Sequence, residues 1–208
     1  MFILKTRTKT NIVLMAVTLF LFSGTGLIAD AADSAPGEKS GSGMFVSMRE
    51  SLLTHKTFPT TSEGLKALGI NAVELSLDRD FSVHAPDKEE RVILATDEDA
   101  KAYRVRAEQH GVYICAVLTA CDFSAGDIES NVAWIARAIE LAELLGAPTV
   151  RIDSAMSRER ELDFETRVNL FADNLGAILE RTAESEITLG IENHGFQGNN
   201  LAFLLNVF

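Results

Sequence analysis

The sequence predicts an α/β protein built around a parallel β-sheet. Five short segments that are almost wholly apolar recur along the 208 residues, at 44–48, 72–77, 112–118, 149–152 and 187–191. Apolar segments of this length are typical of parallel strands that are covered on both faces. Helical patterns separate them, and strand starts 28 to 40 residues apart leave room for one crossover helix in each interval.

Capping residues and apolar spacing place the helices between the predicted strands. Thr60 and Thr96 each open a helix with an acidic residue three positions later, and glycines close both helices. A longer helix at 128–145 begins after Asp127, and another spans 164–183.

Polar residues follow every predicted strand, and they would meet at one end of a parallel sheet. They are Arg49, Glu50, Asp78, Asp122, Arg151, Asp153, Glu192, Asn193 and His194. Either an open doubly wound sheet or part of a (β/α)8 barrel fits this pattern. The doubly wound dinucleotide fold has a glycine-rich turn after its first strand, and residues 45–52 contain no glycine. We therefore predict the barrel.

The predicted barrel is partial. A complete (β/α)8 barrel has about 250 residues, so residues 44–208 are expected to form its first five βα units. Residues 32–43 are small, polar and glycine-rich, which predicts a flexible linker before the folded part.

The first 31 residues have the pattern of a signal peptide. Three basic residues lie among the first nine, and an apolar run at 12–22 follows them. Ala29 and Ala31 fit a cleavage site before Ala32. We therefore expect an exported protein, periplasmic or secreted. The alternative is an uncleaved membrane anchor over residues 12–29.

Composition limits the function classes. The net charge of -11 comes from 19 basic and 30 acidic residues, which argues against nucleic acid as a partner. Two cysteines, Cys115 and Cys121, are too few for a disulfide-stapled scaffold. A bridge between them would need a sharp bend in the chain.

The segment 187–195 carries the strongest chemical signal. Glu192 follows a buried strand, and an amide, an imidazole and a glycine occupy positions 193–195. A buried carboxylate requires a cation or an ion-pair partner. Carboxylate and imidazole ligands suit a divalent ion such as Mn, Mg, Zn or Co. The sequence therefore leaves two interpretations of Glu192, a metal ligand or the ion-pair partner of Arg151.

Arg151 ends the fourth predicted strand, and it also has two interpretations. Its guanidinium could bind a substrate carboxylate or phosphate as a fork. It could instead pair with Glu192, Asp153 or Asp122. The role of His194 stays open between metal ligation, substrate contact and capping of the next helix.

From Met44 onward the chain resembles the xylose isomerase-like TIM-barrel family of sugar (phosphate) isomerases and epimerases. The similar segments are AVELSL at 72–77, AEQHGV at 107–112, AIELAELLGA at 138–147, VRID at 150–153 and GIENHG at 190–195.

The resemblance implies a metal-dependent isomerase or epimerase that acts through an enediolate on a small sugar or related polyol. Glu192 corresponds to the fifth-strand glutamate, which binds the divalent metal ion and often takes part in proton transfer. His194 would contact the substrate. In that family three further ligands, Asp, His and Glu, come from strands six, seven and eight, beyond Phe208. The metal site is therefore expected only when those strands are supplied.

The competing prediction is a non-catalytic barrel remnant that binds carbohydrate. An open half-barrel would expose two strand edges and an apolar interior, so we expect the chain to be poorly soluble or to form homo-oligomers. Membrane contact is expected only through the N-terminal segment. His55 and His84 fall in predicted βα loops and are expected to be solvated.

Overall fold

A computed structural model of the chain describes residues 2–4, 13–14, 45–54 and 57–208. The strands are β1 (Phe2–Leu4), β2 (Val13–Leu14), β3 (Ser47–Arg49), β4 (Ala72–Leu77), β5 (Ser82–His84), β6 (Arg91–Ile93), β7 (Tyr113–Thr119), β8 (Thr149–Asp153) and β9 (Thr188–Glu192). The helices are α1 (Glu50–Thr54), α2 (Thr61–Leu68), α3 (Asp97–Gln109), α4 (Ile128–Leu145), α5 (Phe164–Arg181), α6 (Gly195–Gly198) and α7 (Leu201–Val207).

Five parallel strands form the main sheet in the order β3, β4, β7, β8, β9, which is their order along the chain. A doubly wound sheet reverses its strand order at a switch point, whereas consecutive strands of a barrel are neighbours throughout. The strand order therefore agrees with barrel-type winding. β1 pairs antiparallel with β9 at one edge, and β2 pairs with β1.

The predicted strands are confirmed in number and direction, with small shifts at their ends. β4 has the predicted bounds, while β3 is shorter than predicted and ends one residue later. β3 ends at Arg49 because the next residue, Glu50, begins α1. Its carboxylate accepts a hydrogen bond of 2.8 Å from the Ser76 backbone N–H, and so continues the edge of β4 where β3 has stopped.

A β-hairpin between β4 and α3 corrects one expectation. The sequence pattern around His84, over residues 78–90, predicts a βα loop, but β5 lies within this segment and pairs antiparallel with β6. His84 is not solvated as expected, since it ends β5 with a side chain only 30% exposed. Three-residue strands carry too short a pattern to be separated from a loop by sequence alternation.

The predicted helix caps are confirmed. Thr60, Thr96 and Asp127 each accept a hydrogen bond from the backbone N–H three residues further on. Gly69 and Gly146 end α2 and α4 with φ angles of 66° and 74°, in the left-handed region that favours glycine.

The hydrophobic core lies between one face of the sheet and the helices. In β4 the buried Val73, Leu75 and Leu77 alternate with Glu74 and Ser76, which lie on the other face. The core is therefore confined to one side, and the opposite side of the sheet is free to carry polar groups.

The two cysteines are free. The Cys115 thiol donates to the Val73 carbonyl at 3.2 Å, and Cys121 lies 3.6 Å from the side-chain oxygen of Asn131. Burial raises the pKa of both thiols, that of Cys121 to about 11. Both are therefore unreactive packing residues.

The predicted signal peptide (1–31) and linker (32–43) lie outside the described residues, apart from the short strands β1 and β2. His55 also lies outside them. Within the part of the chain that the structure describes, no helix has the length and apolar character needed to cross a membrane.

Phe171 tests the packing of the core. Its fully buried ring lies 5.0 Å from that of Phe123 and 5.6 Å from that of Phe203, measured between centroids. We predict that Phe171→Ala lowers the free energy of unfolding by about 3–5 kcal/mol in urea titrations. Phe45→Ala, which truncates an exposed ring, is the matched control. Equal losses in the two variants would contradict the assigned core.

Candidate functional site

Four charged side chains share the side of the sheet that faces away from the helices. Arg151 lies in register with Gly190, and Asp153 lies beside Glu192 on the neighbouring strand. Glu74 lies on β4, one strand beyond β7. We call the group formed by Glu74, Arg151, Asp153 and Glu192 the charged cluster. Asp153 and Glu192 are the last residues of β8 and β9, and active sites of parallel barrels are found at such carboxyl ends.

The guanidinium of Arg151 joins this cluster. Its Nε and Nη2 donate to the two carboxylate oxygens of Glu74 at 2.7 and 2.9 Å, a two-pronged ion pair. Its Nη1 contacts the Glu192 carboxylate and lies 3.5 Å from Asp153 Oδ1. The Arg151 side chain is only 9% exposed, so this one buried cation faces three carboxylates.

The residue in register with Glu74 on β7 is Ala116. Paired residues of a parallel sheet share a face, so the side chain of Arg151 must pass across β7 to reach Glu74. Arg151 itself lies in register with Leu118, two residues beyond Ala116 on β7.

His194 lies at the open end of the cluster. Its Nδ1 is 3.5 Å from Asp153 Oδ2, and its side chain is 61% exposed. One donor atom from each of Asp153, Glu192 and His194 lies within 4.8 Å of the other two. Two carboxylate oxygens and one imidazole nitrogen therefore converge, and Asp153 Oδ1 is buried without a hydrogen-bond partner.

Hydrogen bonds of Ser154 hold the backbone of Glu192 and His194 where the chain leaves β9. Its hydroxyl lies 2.6 Å from the Glu192 carbonyl oxygen and accepts from the His194 backbone N–H at 3.0 Å. A Cβ at Gly198 would approach the Ser154 hydroxyl to 1.8 Å, and Gly195 has a φ of 74°. Both glycines are therefore required, Gly195 where the chain turns from β9 into α6 and Gly198 at the end of α6.

The structure brings the three site residues predicted from the sequence together. Glu192 contacts Arg151, as one of its two interpretations required, and it also lies among the metal-type donors. Glu74, which binds the other side of Arg151, is not among the site residues predicted from the sequence. Its signal was a carboxylate within the buried strand 72–77. Asp122, another suggested partner of Arg151, instead accepts hydrogen bonds from Ser124.

A second pair of titratable groups lies at the end of β3. Glu50 is fully buried, and its Oε1 has no hydrogen-bond partner and lies 3.7 Å from His84 Nε2. Burial raises the pKa of Glu50, opposed by the hydrogen bond from Ser76 and the charge of Arg91. Burial likewise lowers the pKa of His84. The folded protein therefore disfavours charge on both side chains.

Residues 63–206 match the model of a known protein family, the xylose isomerase-like TIM barrel. The chain belongs to this family. The match covers more than half of the sequence and includes Glu74 and Arg151 as well as Glu192 and His194. A search of curated proteins gives no match.

Solved structures show the same fold. A sugar phosphate isomerase/epimerase from Parabacteroides distasonis is 12% identical, with a TM-score of 0.55, over 74% of this chain and 53% of its own. Mannonate dehydratase from Streptococcus suis serotype 2 is 14% identical, with a TM-score of 0.52, over 80% of this chain and 62% of its own. The chain thus spans between half and two thirds of the length of these two proteins. At such identities the likeness concerns the fold alone.

Glu50→Gln tests whether the folded protein disfavours a negative charge on the buried Glu50 carboxylate. Because burial raises the pKa of Glu50 above its ordinary value of 4.5, ionisation weakens the folded state as pH rises through the folded pKa. The glutamine keeps an oxygen for the Ser76 N–H and does not ionise. We predict similar stability of the two proteins near pH 4 and a growing advantage of the variant toward pH 8, measured by urea unfolding.

The control for this pH series is Glu161→Gln, which removes an exposed carboxylate paired with Arg158. Its stability difference from the unmodified protein should change little with pH. A Glu50→Gln variant that is less stable at pH 8 than at pH 4, relative to the unmodified protein, would refute the assignment.

Proposed function

We propose that this chain forms the Glu192 side of the active site of a metal-dependent sugar or sugar-phosphate isomerase or epimerase. The observation that carries the proposal is the convergence of Asp153, Glu192 and His194 at the carboxyl ends of β8 and β9, beside the buried Arg151. The resemblance of the chain to the xylose isomerase-like family of sugar (phosphate) isomerases and epimerases supports the choice of a small sugar or polyol as substrate.

The donor set fits a divalent metal ion. Asp153 and Glu192 supply oxygen and His194 supplies nitrogen, a combination that suits Mn, Mg, Zn or Co. Asp153 Oδ1 has an ion-pair contact with Arg151 Nη1 at 3.5 Å but lacks the hydrogen bond that a buried carboxylate oxygen ordinarily has. When bound, such an ion polarises a substrate carbonyl and offsets the charge of an enediolate.

Glu192 is the residue proposed to move the proton. Its side chain is 41% exposed at the end of β9, so a substrate can reach it. The carboxylate takes a proton from the carbon next to the substrate carbonyl, which leaves an enediolate. Return of the proton to the neighbouring carbon gives the isomer, and return to the opposite face of the same carbon gives the epimer.

His194 is proposed to orient the substrate, and Arg151 to hold Glu192 before an ion binds. Arg151 contacts the Glu192 carboxylate through its Nη1 and donates its Nε and Nη2 to Glu74. This occupancy argues against Arg151 as the fork that binds a substrate phosphate. The exposed imidazole of His194 is placed to contact a substrate hydroxyl.

The five βα units are proposed to act within a complete (β/α)8 barrel. The family resemblance implies further Asp, His and Glu ligands from strands six to eight, which this chain or a partner would have to provide. The alternative function, a carbohydrate-binding protein without catalysis, keeps the same fold and lacks the proton transfer.

Exchange of a carbon-bound hydrogen with solvent tests the function across many candidate sugars at once. The chain, within the complete barrel that supplies strands six to eight, is incubated with Mn²⁺ and a panel of aldoses, ketoses and their phosphates in D₂O, and deuterium next to the carbonyl is followed by NMR. We predict exchange that falls about 10²- to 10⁴-fold in Glu192→Gln, since the general base is lost. Glu129→Gln, an exposed carboxylate remote in sequence, should retain it.

A folded protein that binds a sugar but exchanges no hydrogen would refute the isomerase proposal and support the carbohydrate-binding alternative. Exchange that survives in Glu192→Gln would refute the role of Glu192 alone.

We also propose that the protein is exported through its first 31 residues. The basic start, the apolar run at 12–22 and the small residues Ala29 and Ala31 support this proposal. Expression in a bacterial host should give a periplasmic product whose first residue, by N-terminal sequencing, is Ala32. A membrane-bound product that retains residues 1–31 would instead establish the uncleaved anchor.

A further inference from the structure

Arg151 divides its donors between two sides of the cluster. Toward Glu74 it makes two hydrogen bonds of 2.7 and 2.9 Å through Nε and Nη2. Toward Glu192 and Asp153 it offers only Nη1. The side that faces the donor set of the proposed cation site is therefore the more weakly held one.

The net charge of the charged cluster indicates what the divided donors of Arg151 could do. Glu74, Asp153 and Glu192 carry three negative charges and Arg151 carries one positive charge, so the sum is -2 when His194 is neutral. A divalent ion would balance that sum. The ion and Nη1 would, however, compete for the carboxylates of Glu192 and Asp153, because like charges a few ångströms apart repel.

We propose that Arg151 is a movable counterion of the cation site and that Glu74 is the positioning residue that holds it. Without a divalent ion, Nη1 neutralises Glu192. When the ion binds, Nη1 leaves Glu192, and the guanidinium stays on Glu74 through Nε and Nη2. This inference rests on the cation site described under the proposed function.

Loss of Glu74 has a definite consequence in this arrangement. The cluster would keep a charge of only -1, and the freed guanidinium would turn its fork onto Glu192 and Asp153, which already lie at Nη1. Arginine would then block the donor atoms, so Glu74 should strengthen cation binding although it is absent from the donor set.

Calorimetric titration of the full chain with Mn²⁺ tests the inference. We expect Glu74→Gln to weaken Mn²⁺ binding roughly tenfold or more, from the lost charge and the released arginine. The control is Asp122→Asn, which removes the same charge from the end of β7, where the carboxylate is held by Ser124 rather than Arg151. It should weaken binding about threefold at most, because a separated and solvated charge is screened.

A double variant distinguishes the counterion role from simple damage to the fold. In Glu74→Gln/Arg151→Met the competing cation is gone and the remaining carboxylates again sum to -2. Buried ion pairs can often be replaced together without loss of stability, and thermal unfolding checks this. Binding of Mn²⁺ should return to within about threefold of the original, which damage at Glu74 would not allow.

The outcomes separate the two proposals. If the unmodified chain binds no Mn²⁺, the cation site fails and this inference fails with it. If the unmodified chain binds and Glu74→Gln binds equally well, or the double variant does not recover, the cation site stands and the counterion role is overturned.

Discussion

One buried guanidinium organises the functional end of this protein. Arg151 is nearly inaccessible and faces three carboxylates, from β4, β8 and β9. Burial of a lone carboxylate or a lone arginine would cost several kcal/mol. The ion pairs offset this cost only while these strands hold their register. The sheet therefore fixes the position of Glu192, and the charges in turn tie together strands that are not neighbours in the sheet.

One face of the sheet packs the hydrophobic core, and the other face carries the charged cluster. On one face, residues such as Val73 and Leu75 pack against helices and make the core. On the other face, the same strands carry Glu74, Arg151 and Glu192 at alternate positions. Because strand side chains alternate between faces, each strand serves both purposes. A change in the charged cluster can therefore alter the proposed cation site without removing any core side chain.

Much of the fold was predictable because its signals are local. Apolar strands, the caps at Thr96 and Asp127 and the glycine after α4 each follow from a few adjacent residues. The cluster was only half predictable. Glu192 and Arg151 lie on adjacent strands, so their pairing followed from strand order. Glu74 lies across β7, and its meeting with Arg151 depends on register and on the β-bulge between Val73 and Glu74, which no local pattern encodes.

We propose that donor atoms of Asp153, Glu192 and His194 bind a divalent ion, and that Glu192 loses its contact with Arg151 when the ion binds. The most direct measurement is a crystal structure of the full chain with Mn²⁺, with anomalous scattering recorded at the manganese edge. We predict an anomalous peak among these three side chains, with the guanidinium of Arg151 withdrawn from Glu192 and still bound to Glu74. A peak elsewhere, no peak at saturating Mn²⁺, or an unmoved Arg151 beside a bound ion would contradict it.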